Sequence, residues 1–175
     1  MPAKAGIYTT TMKTFLPLAA SLLLTCACGS LTRTPQEKAA EAARIEAAVS
    51  DSLDAHSFTI SVDRMHPRRG QSKALSSPYS LKVASGRVYS YLPYFGVAYN
   101  VPYGGGKALN FEADILEYRE DRPRPDRRVI LFSTDNGEDL LIYTVTVFVN
   151  GKADIDVRAR NREGIGFSGE VELRD

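Results

Sequence analysis

The chain has 175 residues, 43% hydrophobic and 25% charged, which suits one domain of ordinary globular composition with short additions. Its formal net charge is +1, and −1 without the first 25 residues, which hold Lys4, Lys13 and no acid; no charge bias singles out nucleic acid or an anionic surface. Both cysteines, Cys26 and Cys28, stand at the end of an apolar run, which excludes a disulfide scaffold or a cysteine zinc site in the folded part.

The N-terminus reads as an address. Lys13 precedes the apolar run Phe15–Leu24, and Thr25-Cys26-Ala27-Cys28-Gly29-Ser30 follows it. A positive start, a short apolar core and a small-residue exit make a secretory signal. The run is too short for a bilayer core, which needs about 20 apolar residues. Met12-Lys13 reads as the natural start, with residues 1–11 as an upstream extension. A cysteine after a small residue turns such a signal into a lipoprotein signal. Cys28 follows Ala27, so lipidation is expected there, with residues 1–27 as signal peptide and 28–34 as tether. Cys26 is the rival: Leu23 holds the favoured third position back, but Thr25 stands directly before it. The bland alternative is a secreted chain with incidental cysteines. Two or more acyl chains of the palmitate type hold a protein firmly at a membrane.

Thr34-Pro35-Gln36-Glu37 has the form of a capping box with proline at the first helical position. The alanine-rich segment behind it predicts a helical spacer over residues 35–55. Ile45, Val49 and Leu53 form a thin apolar stripe, suited to lying against a neighbouring domain; the alternative is a free stalk or a helix that pairs with a partner.

From Phe58 onward the period is two and turn signals recur, so residues 56–175 read as an antiparallel β domain. Strands are expected near Phe58–Arg64, Tyr79–Ala84, Arg87–Leu92, Phe111–Tyr118, Arg128–Ser133, Leu140–Phe148, Lys152–Arg160 and Ile165–Leu173. A two-residue turn at Ser85-Gly86 sets Val83 opposite Val88 and Tyr79 opposite Leu92. Asn150-Gly151 normally signals the same kind of turn, but that register would face Val147 with Asp154. A three-residue loop with Gly151 in the left-handed position instead pairs Val147 with Ala153, Val145 with Ile155, Tyr143 with Val157 and Leu141 with Ala159. The fold class is therefore all-β: about eight antiparallel strands forming a small barrel or sandwich, preceded by one N-terminal helix, with a lean towards the barrel because it leaves no edges.

The block Tyr91-Leu92-Pro93-Tyr94-Phe95-Gly96-Val97-Ala98-Tyr99, with Pro102-Tyr103-Gly104, Leu109-Asn110-Phe111, Gly151-Lys152-Ala153, Asn161-Arg162 and Phe167-Ser168-Gly169, resembles an uncharacterised family of bacteroidete-type lipoproteins, domain of unknown function 4251. The resemblance covers Ala55 to Val171. It implies a Gram-negative, envelope-facing lipoprotein with a β-rich domain and transfers no functional residue. Surface-displayed lipoproteins of this kind often carry acids just after the lipidated cysteine. Gly29–Arg33 has none, which points to the outer membrane facing the periplasm.

The densest chemistry is aromatic: Tyr89, Tyr91, Tyr94, Phe95, Tyr99 and Tyr103 fall within fifteen residues. Tyrosine offers a flat apolar face with a polar tip, suited to a rim that binds a glycan, peptide or envelope protein. The bland reading has these rings fill a barrel end and hydrogen-bond its turns. Gly104-Gly105-Gly106-Lys107 lacks the phosphate-loop spacing and reads as a flexible loop. Asp114, Glu117, Glu120 and Asp121 lie near a strand end that runs into an apparent solvated turn at Arg122-Pro123-Arg124-Pro125, away from the opposed arrangement glycoside hydrolysis needs. Asp135–Asp139 lacks calcium-loop spacing and reads as a hairpin loop. His56 and His66 belong to no nucleophile-elbow motif. Arg64, Arg68 and Arg69 read as a solvated cluster, with lipid headgroups or an acidic glycan as the alternative partner. The reading that results is a non-enzymatic binding or envelope-interaction lipoprotein, with no catalytic residue, metal or cofactor expected. A hydrolase of envelope polysaccharide or peptide, and a structural or assembly lipoprotein, are the alternatives.

Overall fold

The computed structural model describes residues 34–99 and 107–173; the signal, the Cys26/Cys28 pair and Tyr103 lie outside them. One helix, α1 (Pro35–Asp54), precedes eight strands: β1 (Phe58–Pro67), β2 (Lys73–Ala84), β3 (Arg87–Tyr91), β4 (Asn110–Arg124), β5 (Arg127–Asp135), β6 (Leu140–Phe148), β7 (Lys152–Ala159) and β8 (Ile165–Val171). Each strand pairs antiparallel with the next, and β8 pairs with β1, so the sheet closes into a barrel. Of the two architectures the alternation allowed, the closed one is realised.

Hairpin chemistry sets the register. Ser85 and Gly86 both have positive φ, 52° and 73°, as the two central residues of a type I′ turn require, and Val83 faces Val88. The expected Tyr79–Leu92 pair does not form. β3 ends at Tyr91, and the Leu92 N–H donates instead to the Leu109 carbonyl at 3.2 Å. In the β6–β7 hairpin, Gly151 sits at φ 84° and its N–H donates to the Phe148 carbonyl. Val147, Val145, Tyr143 and Leu141 then face Ala153, Ile155, Val157 and Ala159, as burial of one face demands.

β4 departs most from expectation. It continues through Arg122-Pro123-Arg124, and the turn is Pro125-Asp126. Beyond Asp114, β4 has no β3 partner and pairs with β5 alone, so Pro123 can sit there without breaking a ladder bond on its open side. A bulge at Leu116 lets Phe111 and Ile115 before it, and Tyr118 and Glu120 after it, turn towards the interior.

The interior is filled by side chains. Ile60, Leu81, Ile130, Val145 and Phe167 are fully buried, and the Phe132 and Tyr143 rings stack at 4.8 Å and 5°. Tyr143 satisfies its hydroxyl by donating to Ser90 Oγ (3.2 Å), and Ser90 donates to the Leu109 carbonyl (2.7 Å).

α1 stoppers one end of the barrel. Its start is a full capping box: Thr34 Oγ1 accepts from the Glu37 N–H (3.2 Å), and the Glu37 carboxylate accepts from the Thr34 N–H (2.7 Å). Residues 35–44 are exposed along their whole length, whereas Ile45, Val49 and Leu53 pack into the barrel core. The helix is thus docked in its second half and free in its first, dividing between the two expectations. Burial of Leu53 alone contributes roughly 1.5–3 kcal/mol. Arg128, pointing inward from β5, pins the helix: it pairs with Glu120 of β4 and, at 2.7 Å, with Asp54 of α1. The Arg128 guanidinium hydrogen-bonds Asp54 and holds its carboxyl below the usual range. Beside this cluster, the His56 ring lies 4.6 Å from Tyr118, whose hydroxyl is buried with no partner.

Two expectations follow for this end. Arg128 and Glu120 side chains are 15% and 20% exposed, so removing the cation strands a largely buried carboxylate. Arg128→Ala is expected to cost about 2 kcal/mol in chemical denaturation, a buried-pair loss discounted for partial solvent access. Asp54→Asn, at a 63% exposed position, is expected to cost clearly less. Equal losses would contradict the pinning role. Burial raises the Tyr118 hydroxyl from 10.0 to about 12. A pKa raised in the folded state means stability that is intact below the unfolded value and drains away as pH climbs from 10 towards 12. Tyr118→Phe is expected to keep neutral-pH stability, since no hydrogen bond is lost, and to flatten this alkaline decline. Superimposable alkaline unfolding curves for the two proteins would refute it.

Candidate functional site

The opposite barrel end is sealed by chain. The described stretches 92–99 and 107–109 pack there with Leu92 and Leu109 buried, and a short bridge joins Ala98 to Arg162. Around it runs a buried polar network. Arg162 is 6% exposed and pairs with Glu138 at 2.8 Å, while its Nε lies 4.0 Å from Asp139. Asp139 in turn accepts from the N–H groups of Arg160 and Asn161. Asn136 Oδ1 accepts from the Glu138 and Asp139 N–H groups at 2.9 Å, and its amide donates to the Ala108 carbonyl. The acids of the Asp135–Asp139 loop are therefore engaged in shaping a hairpin end, as the sequence suggested. Among the described residues no cluster of three or more metal-binding side chains occurs.

The aromatic cluster divides between this end and the outer wall. Tyr94 belongs to the seal: its hydroxyl lies 3.0 Å from the Val97 and Glu163 carbonyls, and the Arg162 guanidinium lies 5.8 Å from its ring. Burial raises its pKa. Tyr94 fills a barrel end and ties down turns, which is the bland reading offered for the whole cluster. Phe95 and Tyr99 stand on the rim, 54% and 70% exposed, with the Lys73 ammonium 5.0 Å from the Phe95 ring.

Tyr89 and Tyr91 are elsewhere. Alternation along β3 buries Val88 and Ser90 and turns the two tyrosines outward. Cross-strand register places Lys82 and Glu112 on either side of Tyr89, and Ser80 and Asn110 on either side of Tyr91. Thr59 of β1 extends the first row past Lys82. These residues line an open depression of about 520 Å³, floored by Ser90 and Phe111. The Tyr79 ring lies 5.3 Å from Tyr91, and the Lys82 ammonium 5.5 Å from the Tyr89 ring.

The remaining candidates do not converge. Asp114 pairs with Arg87, Glu120 points inward to Arg128, and Glu117 and Asp121 lie on the exposed side of β4, so the four carboxylates form no opposed pair. Arg68 pairs with Asp156 at 3.2 Å and Arg69 with Glu163 at 3.3 Å, which breaks up the arginine cluster. His66 makes a contact the sequence did not foretell: Nδ1 lies 2.7 Å from Ser72 Oγ and Nε2 2.8 Å from Ser168 Oγ. Ser168 sits in β8, flanked by β1 and β7, with the β1 bulge between Val62 and Arg64 beside it.

Among curated proteins, none matches this chain. Among solved structures, the chain is similar to a DUF4251 family protein from Bacteroides eggerthii, at 19% identity and a TM-score of 0.58, over 78% of this chain and 91% of that one. The likeness extends to the barrel fold. A family model described as a domain of unknown function, DUF4251, matches residues 39–171 and so begins inside α1, earlier than the Ala55 boundary of the sequence resemblance. The helix that stoppers the barrel is thus largely within the matched region, and the chain belongs to the DUF4251 family.

Proposed function

We propose that the protein is an exported, lipid-anchored binding module that works without catalysis in the envelope of a Gram-negative bacterium. Its ligand-facing surface is the outer wall of β2, β3 and β4. The observation that carries this reading is the pairing of a filled core with two outward tyrosines in one depression. A barrel whose interior is packed holds no small molecule inside, so recognition falls to the wall and rims. Rigid rings framed by polar side chains are the ordinary equipment of such a surface. The anchor rests on the Phe15–Leu24 run, the Ala27-Cys28-Gly29 site and the basic start before them. The family's occurrence in a Bacteroides species supports a Gram-negative envelope, and the absence of acids in Gly29–Arg33 favours the outer membrane facing the periplasm.

The hydrolase alternative has the Ser72–His66–Ser168 contacts in its favour. Against it, Ser168 lies on a strand of the closed wall, and no nucleophile-elbow motif surrounds it.

The test pairs two measurements on the full chain produced in its native envelope. Mass spectrometry of the mature N-terminus is expected to find an acylated Cys28; a chain starting at Cys26, or an unlipidated one, would contradict the anchor assignment. Affinity capture from that envelope is expected to retain glycan, peptide or protein with the wild type and to lose it with the Tyr89→Ala/Tyr91→Ala double variant. The double variant is expected to lose less melting temperature than the core change Val145→Ala. A loss as large as that of Val145→Ala, or unchanged capture, would sink the wall as the binding surface.

A further inference from the structure

The Tyr89–Tyr91 wall is built from two parallel rows of side chains. Thr59, Lys82, Tyr89 and Glu112 form one; Ser61, Ser80, Tyr91 and Asn110 form the next. Strand geometry spaces neighbours within a row at about 4.8 Å and the two tyrosines at about 7 Å along β3. Tyr91 has Tyr79 close against it yet remains 46% exposed, so the ring is braced and still open to solvent. Tyr89 is half-buried beside Lys82. Ordering these rings on a ligand costs little, because each has two side-chain torsions and both are already packed.

The lining narrows the ligand class. One cation, Lys82, and one anion, Glu112, flank the same ring, so the depression carries no net charge and offers no electrostatic advantage to a polyanion. β3 is hydrogen-bonded to β2 on one side and β4 on the other, so an extended peptide finds no strand edge there to join. An acyl chain needs enclosed apolar volume, whereas this depression is open and bordered by hydroxyl, amide, ammonium and carboxylate groups. Those groups supply donors and acceptors together: Ser80 and Thr59 do both, Asn110 does both, Lys82 donates and Glu112 accepts. Flat apolar rings surrounded by mixed, charge-balanced hydrogen-bonding groups match one common ligand chemistry. A pyranose presents apolar C–H faces for the rings and hydroxyls at its rim that both donate and accept.

We propose that this wall is a subsite for a neutral oligosaccharide, with Tyr91 and Tyr89 as stacking platforms and Asn110, Glu112, Ser80 and Lys82 as hydroxyl-binding groups. The inference rests on the wall being the binding surface and adds the class of ligand.

The test is titration of the full acylated chain in nanodiscs, followed by saturation-transfer NMR and calorimetry. The probes are linear glucose hexamers with α-1,4 and β-1,4 linkages, an N-acetylglucosamine hexamer, a polyuronate of the same length and an unstructured peptide. At least one neutral hexamer is expected to bind and the polyuronate to bind more weakly. Tyr91→Ala and Tyr89→Ala are expected to weaken neutral-sugar binding at least about tenfold, and Tyr91→Phe to keep it within about threefold, since the ring face and not the hydroxyl does the stacking. Melting temperatures of all variants serve as the control for folding. Failure of every neutral hexamer to bind would overturn the sugar assignment; if envelope capture still depends on Tyr89 and Tyr91, the wall remains the binding surface and only the ligand class is wrong. Sugar binding that ignores both alanine variants would overturn the proposed subsite, and envelope capture equally indifferent to them would remove the wall reading as well.

Discussion

β8 closes onto β1 across a bulge between Val62 and Arg64, and there Gly169 runs so near β1 that a Cβ would sit 1.9 Å from the Ser61 carbonyl oxygen. Only a residue without a side chain allows that approach. Closure at this point decides much of the rest. It leaves β1 and β8 paired on both sides, removing edges that would otherwise template aggregation. It also encloses an interior that must be filled by side chains from all eight strands, and it leaves two open ends. Each end needs its own stopper. At one, apolar burial of Val49 and Leu53 is combined with the Arg128 ion cluster. At the other, residues 92–99 and Leu109 pack beside a polar network centred on Arg162 and Asp139.

The two stoppers differ in how visible they are in the sequence. The Ile45, Val49 and Leu53 stripe marks a helix that packs on something, and the capping box marks where it starts. Its target is not marked, because Arg128 meets Asp54 across 74 positions of chain. The Arg162 network is less visible still, since Tyr94 reaches Glu163 across 69 positions and Asp139 accepts from N–H groups more than 20 positions away. Period-two burial is local and was readable: the β6–β7 register follows from keeping Val147 and Val145 off Asp154 and Asp156. Pro123 misled for a physical reason. Proline signals a turn in a strand flanked on both sides, but β4 is flanked on one side only at that point. The outward aspect of Tyr89 and Tyr91 also follows from alternation. Their separation from Tyr94, Phe95 and Tyr99 does not, because it depends on β3 ending at Tyr91.

A sealed, filled barrel directs function outward. Aromatic residues that face the seal, such as Tyr94, stabilise it. Those on the wall, Tyr89 and Tyr91, turn outward among their cross-strand neighbours, Tyr89 half-buried and Tyr91 exposed. Under the proposed reading, the charge-balanced surroundings of Tyr89 and Tyr91 would suit weak, selective recognition of an uncharged ligand, a contact that a membrane anchor would reinforce through effective concentration. The first half of α1, residues 35–44, stands exposed ahead of the half that docks on the barrel.

Native-state amide hydrogen exchange tests most directly whether the helix belongs to the barrel's core. The amides of Val49–Asp54 are expected to exchange as slowly as those of β6 and β7, opening only with global unfolding, while those of residues 36–44 exchange orders of magnitude faster. Fast exchange throughout α1 with the strands still protected would contradict the account, because the barrel would then hold together without its stopper.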